Sequence, residues 1–200
     1  MKSVLVETPP ELIEERRRRG LDRRDEVWEG VYHMVPPPTG EHEDIVGELF
    51  ALFKAYVARH GLGRIRLNAG VRDAAMGEKN FRVPEWVFVR AGREALLRAD
   101  SSYVDGSPDV ILEVRSPGDE TDEKTPFYEK VGVAEEVIVD RDTRRVQVLR
   151  RVSGRLVPVS PNAEGWIYCE GLRAFFKTGD RSGKPVLLVL LELDRTETAV

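Results

Sequence analysis

The stretch Ser107–Asp119, SPDVILEVRSPGD, decides how the fold is read. Its centre is a run of Val, Ile and Leu, and Pro108 and Pro117-Gly118 bound it, which is the punctuation of a buried strand. Asp109, Glu113 and Arg115 nevertheless sit in that run. Residues two apart on a strand share a face. Asp109, Ile111, Glu113 and Arg115 therefore point one way, and Val110, Leu112 and Val114 point the other, into a core. Asp109 and Glu113 lie roughly 13 Å apart along an extended backbone. At that separation the two do not easily hold one ion, and a compact metal site needs another acid from a neighbouring strand.

Glu85 is the natural supplier. It follows Pro84 at the head of EWVFV, a second strand candidate. A Glu85–Glu113 pair on adjacent strands, with a backbone carbonyl, waters and support from Asp109, makes an oxygen-rich site for Mg²⁺ or Mn²⁺. Such an ion polarises a phosphoryl oxygen and generates hydroxide from water. Arg115 projects beside Glu113, where it can stabilise an anionic transition state. Lys124, in the first turn of the helix that follows, can reach the same place. The competing reading is a solvent-facing strand whose acids and arginine form cross-strand ion pairs. Spacing alone does not separate the two.

Upstream, residues from about Glu41 to Arg59 carry the best helical pattern of the chain. Ile45, Val46, Leu49, Leu52, Phe53, Tyr56 and Val57 recur at helical spacing. Acids fill the first turn, and Gly61 supplies the stop. His42 and Glu48 border the buried stripe, each as support for a site under the helix or as an ordinary edge residue.

Leu12 to Arg19 reads as a short helix within an N-terminal extension over residues 1–25. VWEGVYHMVPPP reads as a hairpin around Gly30, stopped by Pro36 to Pro38. RIRLNAGVR and VPEWVFVRAG are strand candidates. TDEKTPFYEKVGV is a helix capped by Thr121 or Asp122, with Pro126 in its first turn. AEEVIVDRDTRRVQVLRR gives two strands about a turn at Asp140 to Thr143, and GRLVPVS and VLLVLLELD continue the strands. Helix, three strands, helix and more strands imply an α/β (α+β) fold, a mixed sheet packed on helices in a single domain over residues 1–200.

Composition narrows the chemistry. Among 200 residues there is one cysteine, Cys169, which excludes an internal disulfide framework and a cysteine metal cluster and fits a reducing cytoplasm. The three histidines form no HxxxH or HxH pair, which argues against a histidine-rich zinc site. There is no GxSxG and no Walker-type phosphate loop. No apolar run reaches the roughly 20 residues of a membrane span, and the first residues have no secretory h-region. The net charge is −4, so a nucleic acid would have to be gripped by a local arginine-lined surface. Arg16 to Arg19, with Arg23 and Arg24, is interleaved with acids and reads as a solvated helix face.

RVPEWVFV, then PDVILEVRSP, then DEKTPFYEKVGVAEEVIVDRDTRRVQV resemble, in that order, the Uma-two family of restriction-endonuclease-like proteins in the PD-(D/E)XK nuclease superfamily. WEGVYHMVPPPTGEHEDIVGELF is similar to that family's opening before the first helix. The resemblance runs from about Glu26 to Arg150. It implies a restriction-endonuclease-like core, a mixed central sheet flanked by helices, and Mg²⁺- or Mn²⁺-dependent hydrolysis of phosphodiester bonds. It also implies nucleic acid, DNA foremost, as substrate, and a homodimer suits an enzyme that cuts both strands.

Under this resemblance Pro84-Glu85 matches the proline–acid position, with Glu for the usual Asp. Glu113-Val114-Arg115 matches (D/E)-x-K, with Arg for Lys, and an arginine stays protonated. Lys124 matches the family's helix lysine and takes the displaced role. Asp109 matches the acid of "PD", and Tyr128 the family tyrosine. The departures at Glu85 and Arg115, with the acidic charge, favour an alternative: a degenerate nuclease-like scaffold that binds protein or nucleic acid. A hydrolase of small phosphoesters is a third expectation.

Overall fold

The computed structural model describes residues 3–5, 8–104 and 106–200. The chain opens with β1 (Ser3–Leu5), helix α1 (Pro10–Arg18) and a hairpin of β2 (Glu26–Trp28) and β3 (Val31–Met34). Trp28 pairs with Val31 across a two-residue turn in which Glu29 and Gly30 take φ of 51° and 91°. Positive φ at both positions gives the turn whose twist matches its strands. Helix α2 (Gly40–Arg59) follows. The Thr39 hydroxyl accepts the His42 N–H at its N-cap, and Ile45, Val46, Leu49, Phe53, Tyr56 and Val57 are buried along the expected stripe.

Next come β4 (Gly63–Leu67), β5 (Gly70–Arg72), β6 (Phe81–Arg82), β7 (Trp86–Arg90) and β8 (Tyr103–Val104). RIRLNAGVR is thus two strands, divided at Asn68, whose φ is 48°, and the two join different sheets. β9 (Val110–Arg115), α3 (Thr121–Val131), β10 (Glu135–Asp140), β11 (Val146–Val152) and β12 (Arg155–Pro158) complete the central part. β13 (Ile167–Cys169), β14 (Ala174–Arg181), β15 (Lys184–Leu191) and β16 (Thr196–Ala199) end the chain.

The central sheet has the order β12-β11-β10-β9-β7-β4, the N-terminal sheet β1-β3-β2-β6-β5-β8, and the C-terminal sheet β13-β14-β15-β16. β9 and β10 are parallel, while β9 and β7 are antiparallel, so the central sheet is mixed as expected. A parallel pair needs a crossover, and α3 is that crossover.

This arrangement covers both faces of β9, against the competing reading of a solvent-facing strand. Val110, Leu112 and Val114 pack with Phe53 of α2 and Phe176 and Leu187 of the C-terminal sheet. Ile111 packs on the other side with Phe127 and Tyr128 of α3 and with Val71 and Val104 of the N-terminal sheet. With a helix and a second sheet on each face, Glu113 is only 2% exposed.

Helix α3 departs from expectation in two details. Its first N–H, from Thr121, is satisfied by Asp119 Oδ1 at 3.0 Å, not by a cap at Thr121 or Asp122. Pro126 lies inside the helix, past the first turn, where it removes one backbone hydrogen bond. Gly132, at φ 94°, ends the helix. Among the described residues no helix is long and apolar enough to cross a membrane.

Candidate active site

The register of β7 on β9 brings two acids together. Trp86 lies opposite Leu112, and the Glu85 N–H donates to the Leu112 carbonyl at 3.0 Å. The next pair across is Glu85 and Glu113. Side chains so placed stand about 5 Å apart at Cβ.

Glu113 is held from above by α3. The Tyr128 hydroxyl donates to its Oε1 at 2.6 Å, and Lys124 Nζ stands 3.2 Å from Oε1 and 3.4 Å from Oε2. Lys124 and Tyr128 are four apart on the helix, so they share the face laid over β9. Burial pushes the Glu113 carboxyl up to about 8; Lys124 works against this, and the negative charges of Glu26 and Glu85 add to it. Burial also opposes the Lys124 ammonium, but Glu113 and Glu26 outweigh it and raise Lys124 above the ordinary lysine value. Burial and the adjacent Glu113 lift the Tyr128 phenol well above its ordinary value.

Glu85 has different company. His42 Nε2 lies 2.8 Å from its Oε1, and the other ring nitrogen is 3.2 Å from Ser116 Oγ. The Arg24 guanidinium is 2.9 Å from Glu85 Oε2 and also pairs with Glu43 at 2.9 Å. Burial would raise the Glu85 carboxyl, but the His42 hydrogen bond and the Arg24 charge prevail and hold it below the usual value.

Glu26, His42, Glu85, Glu113 and Lys124 line one cleft of about 290 Å³, walled by the Pro36–Thr39 and Ser116–Glu120 segments. Four of the expected site residues, Glu85, Glu113, Lys124 and His42, meet there, and Tyr128 touches Glu113 from behind.

Three expected residues are placed elsewhere. Asp109 lies at the opposite end of β9, where its oxygens accept the Arg90 N–H at 2.9 Å and pair with Arg93 at 2.6 Å. It ties the strand to the loop after β7. Arg115 shares a face with Glu113 but lies beyond the sheet's covered part, drawn to Asp122 at 3.0 Å and Asp140 at 3.5 Å. Glu48 is exposed on α2, outside the buried stripe to which His42 belongs.

Two site residues were not anticipated. Glu26, 2% exposed, pairs with Lys124 at 2.9 Å. Its signal is the alternation Glu26-Val27-Trp28, which sets an acid on the same strand face as a tryptophan. Arg24, read as part of a solvated run, is drawn inward by Glu85. Arg17, Arg18 and Arg19 do face solvent, with side chains 65–73% exposed.

The donor set fits a hard divalent cation. Glu85 Oε2 is buried and accepts no hydrogen bond; Arg24 approaches it as a charge without an aligned N–H. Glu113 Oε2 has only the long contact to Lys124. Glu113 thus has a lightly engaged oxygen, while Glu85 Oε2 is free of an aligned donor and would share a bound cation with the Arg24 charge, which also donates to Oε1 at 3.2 Å. Among the described residues no group of three His, Cys, Asp or Glu side chains converges on a metal-binding point. Mg²⁺ suits such a site, because it takes one or two carboxylates and keeps several waters.

A family model described as "Uma2: Putative restriction endonuclease" matches residues 11–176. A solved structure described as "a putative nuclease belonging to DUF820 from Anabaena variabilis ATCC 29413" superposes with a TM-score of 0.59 at 20% identity, covering 74% of this chain and 82% of that one. That likeness shows a shared fold, the mixed α+β architecture of a nuclease-like core. No curated protein matches the chain. With the match spanning most of its length, central sheet and cleft included, the chain belongs to the Uma2 family.

Proposed function

We propose that the protein is a divalent-metal-dependent nuclease that hydrolyses phosphodiester bonds in nucleic acid, DNA foremost. The observation that carries this reading is the pairing of Glu85 with Glu113 under Lys124 in one cleft. Glu85 and Glu113 would hold Mg²⁺ or Mn²⁺, which when bound supplies Lewis-acid polarisation of the phosphate and a more acidic water.

The chain's own residues divide the remaining work. His42 orients Glu85 and keeps it charged. Tyr128 orients Glu113. Lys124 lies over Glu113 as an ammonium, because its paired carboxylates favour the charged form. It therefore stabilises negative charge gathering on the phosphate and orients water, and does not act as the base. Lys124 fills the place that Arg115 leaves empty by turning to Asp122 and Asp140.

Plasmid cleavage with Mn²⁺ or Mg²⁺ tests the reading. Wild type should nick and linearise DNA, and Glu113→Ala should not; equal activity in both would refute it. Turnover of a chromogenic phosphodiester without DNA cleavage would favour the small-phosphoester hydrolase. The displacement of Arg115 from the cleft favours one further reading, a scaffold that binds without catalysis. Calorimetry showing no divalent-ion binding at millimolar concentration would support it.

A further inference from the structure

We propose that Glu26 is a positioning residue that aims Lys124 at Glu113, and that Trp28 fixes Glu26 for that task. The proposal rests on the hydrolytic reading of the cleft and assigns Glu26 a role distinct from that of Glu85 and Glu113.

The distinction lies in how the oxygens are used. Glu26 Oε1 accepts the Val83 N–H at 2.9 Å and pairs with Lys124 at 2.9 Å. Its Oε2 accepts the Trp28 indole N–H at 2.7 Å. Both oxygens are engaged: the N–H donors of Trp28 in β2 and of Val83 after β6, with the ion-paired ammonium from α3, surround a carboxylate that is 2% exposed. Glu113 keeps a lightly engaged oxygen, Oε2, which has only the 3.4 Å contact to Lys124. Glu26 is therefore fixed by neutral donors on both oxygens while it pairs with an ammonium, whereas Glu113 has an oxygen left for a further ligand.

Lys124 needs holding. A lysine stem has four rotatable carbons and a point charge with no fixed fork, so its aim is set by its partners. Its contact with Glu26 is shorter than either contact with Glu113. Glu26 is the anchor, and Glu113 lies within reach of the anchored ammonium.

Trp28 is itself clamped. His33 stacks on its ring at 4.3 Å with planes 13° apart. The Arg82 guanidinium lies 4.1 Å from the Trp28 ring centre and 4.3 Å from that of Phe127. Arg82 is 5% exposed, and the Val27 carbonyl and Asn80 hold its Nη1 at 3.0 and 2.9 Å. Phe127 belongs to α3, the helix that carries Lys124 and Tyr128. The stack His33–Trp28–Arg82–Phe127 thus joins the β2–β3 hairpin to α3 and fixes the direction of the indole N–H.

The test uses the full chain with Mn²⁺ and the variants Glu26→Gln, Trp28→Phe, Lys124→Met, Glu113→Gln and the double variant Glu26→Gln/Lys124→Met. Glu26→Gln should lower kcat roughly 10- to 100-fold, the worth of a charge-assisted hydrogen bond, with KM and calorimetric Mn²⁺ affinity within about twofold. Glu113→Gln should lose Mn²⁺ binding. In the Lys124→Met background Glu26→Gln should add less than about twofold, because both remove one interaction. Trp28→Phe keeps an aromatic ring in the stack, drops the N–H and should cost a smaller part of kcat.

Loss of Mn²⁺ affinity in Glu26→Gln, or multiplicative effects in the double variant, would overturn the proposal. So would wild-type kcat in a folded Trp28→Phe should Glu26→Gln fail to fold. A readout independent of turnover is the ¹⁵N signal of the Lys124 ammonium, identified by its absence in Lys124→Met. It should be sharp and exchange-protected in wild type and broadened in Glu26→Gln; an unchanged signal would overturn the proposal. Wild type that shows this signal but cleaves nothing would refute the hydrolytic reading and leave the positioning intact.

Discussion

Glu85 and Glu113 are cross-strand neighbours whose carboxyls are driven in opposite directions. His42 and Arg24 hold Glu85 below its usual value against burial, while burial lifts Glu113 to about 8 despite Lys124. The fold therefore supports the charge on one acid and resists it on the other.

This asymmetry predicts opposite stability effects from the same isosteric change. Glu113→Gln should leave the metal-free protein as stable or more stable by about 1 kcal/mol, because an amide is neutral without having to take up the proton that the buried carboxyl binds on folding at pH 7. Glu85→Gln should destabilise by about 1–3 kcal/mol, because it leaves the Arg24 and His42 side of the site short of negative charge. Thermal melts at pH 7 in the presence of a chelator check the signs. Both variants should lose Mn²⁺ binding.

Glu136 predicts a pH dependence. It is fully buried in β10, accepts the Thr125 hydroxyl at 3.0 Å and leaves its other oxygen without a hydrogen bond. Burial raises it from 4.5 to about 7, with the Thr125 hydrogen bond opposing. A carboxyl raised in the folded state binds its proton more tightly there, so folding takes up a proton between the two values. The stabilisation is complete below about pH 4.5 and lost as pH rises through about 7. Glu113 acts in the same direction. Urea midpoints measured from pH 5 to 8 should fall in wild type, and Glu136→Gln should remove roughly 1–3 kcal/mol of that fall.

The placement of Arg115 predicts that it is nearly dispensable for cleavage. Arg115→Met should keep kcat within about threefold and cost at most about 1 kcal/mol of stability, the worth of partly exposed ion pairs. Lys124→Met should lose 100-fold or more, in line with removal of a group that stabilises transition-state charge. Parallel kinetics on the two variants decide between them, and the reverse order would move the charge-stabilising role back to Arg115.

Asp109 should separate stability from metal binding. Asp109→Ala removes acceptors from Arg93 and the Arg90 N–H and should cost about 1–3 kcal/mol. Calorimetric Mn²⁺ affinity of the folded variant should match wild type. A tenfold weaker affinity would restore Asp109 to the site.

Glu113 was legible in the sequence through strand alternation, and Lys124 through its place in the first turn of the helix that follows; Tyr128 came only from the family resemblance, and its i, i+4 relation to Lys124 explains why both reach Glu113. Glu85 followed from the adjacency of two strands. Asp109 and Arg115 were misplaced for one reason. Alternation gives the face of a strand but not the depth along it, and the cleft lies over Glu113 alone. His42 and Glu48 were read as bordering one helical stripe, but His42 belongs to the buried stripe and Glu48 lies outside it; the bonds of His42 to Glu85 and Ser116, distant in sequence, single it out. Glu26 was hidden by a charge run whose signs nearly cancel. Its burial depends on the N-terminal sheet, where Val27 pairs with Phe81, a contact too distant in sequence for local rules to reveal.

The similarity to the family ends at Phe176, in the third residue of β14, yet the packing does not end there. Leu187, Val189 and Leu191 of β15 are buried with Phe53 and Trp86, directly behind the strand pair that presents Glu85 and Glu113. A chain cut where the resemblance stops would expose one wall of the core and leave Phe176 without its cross-strand partner Val189. The last strands thus back the sheet that carries Glu85 and Glu113, and the packed core extends beyond the residues that the family shares.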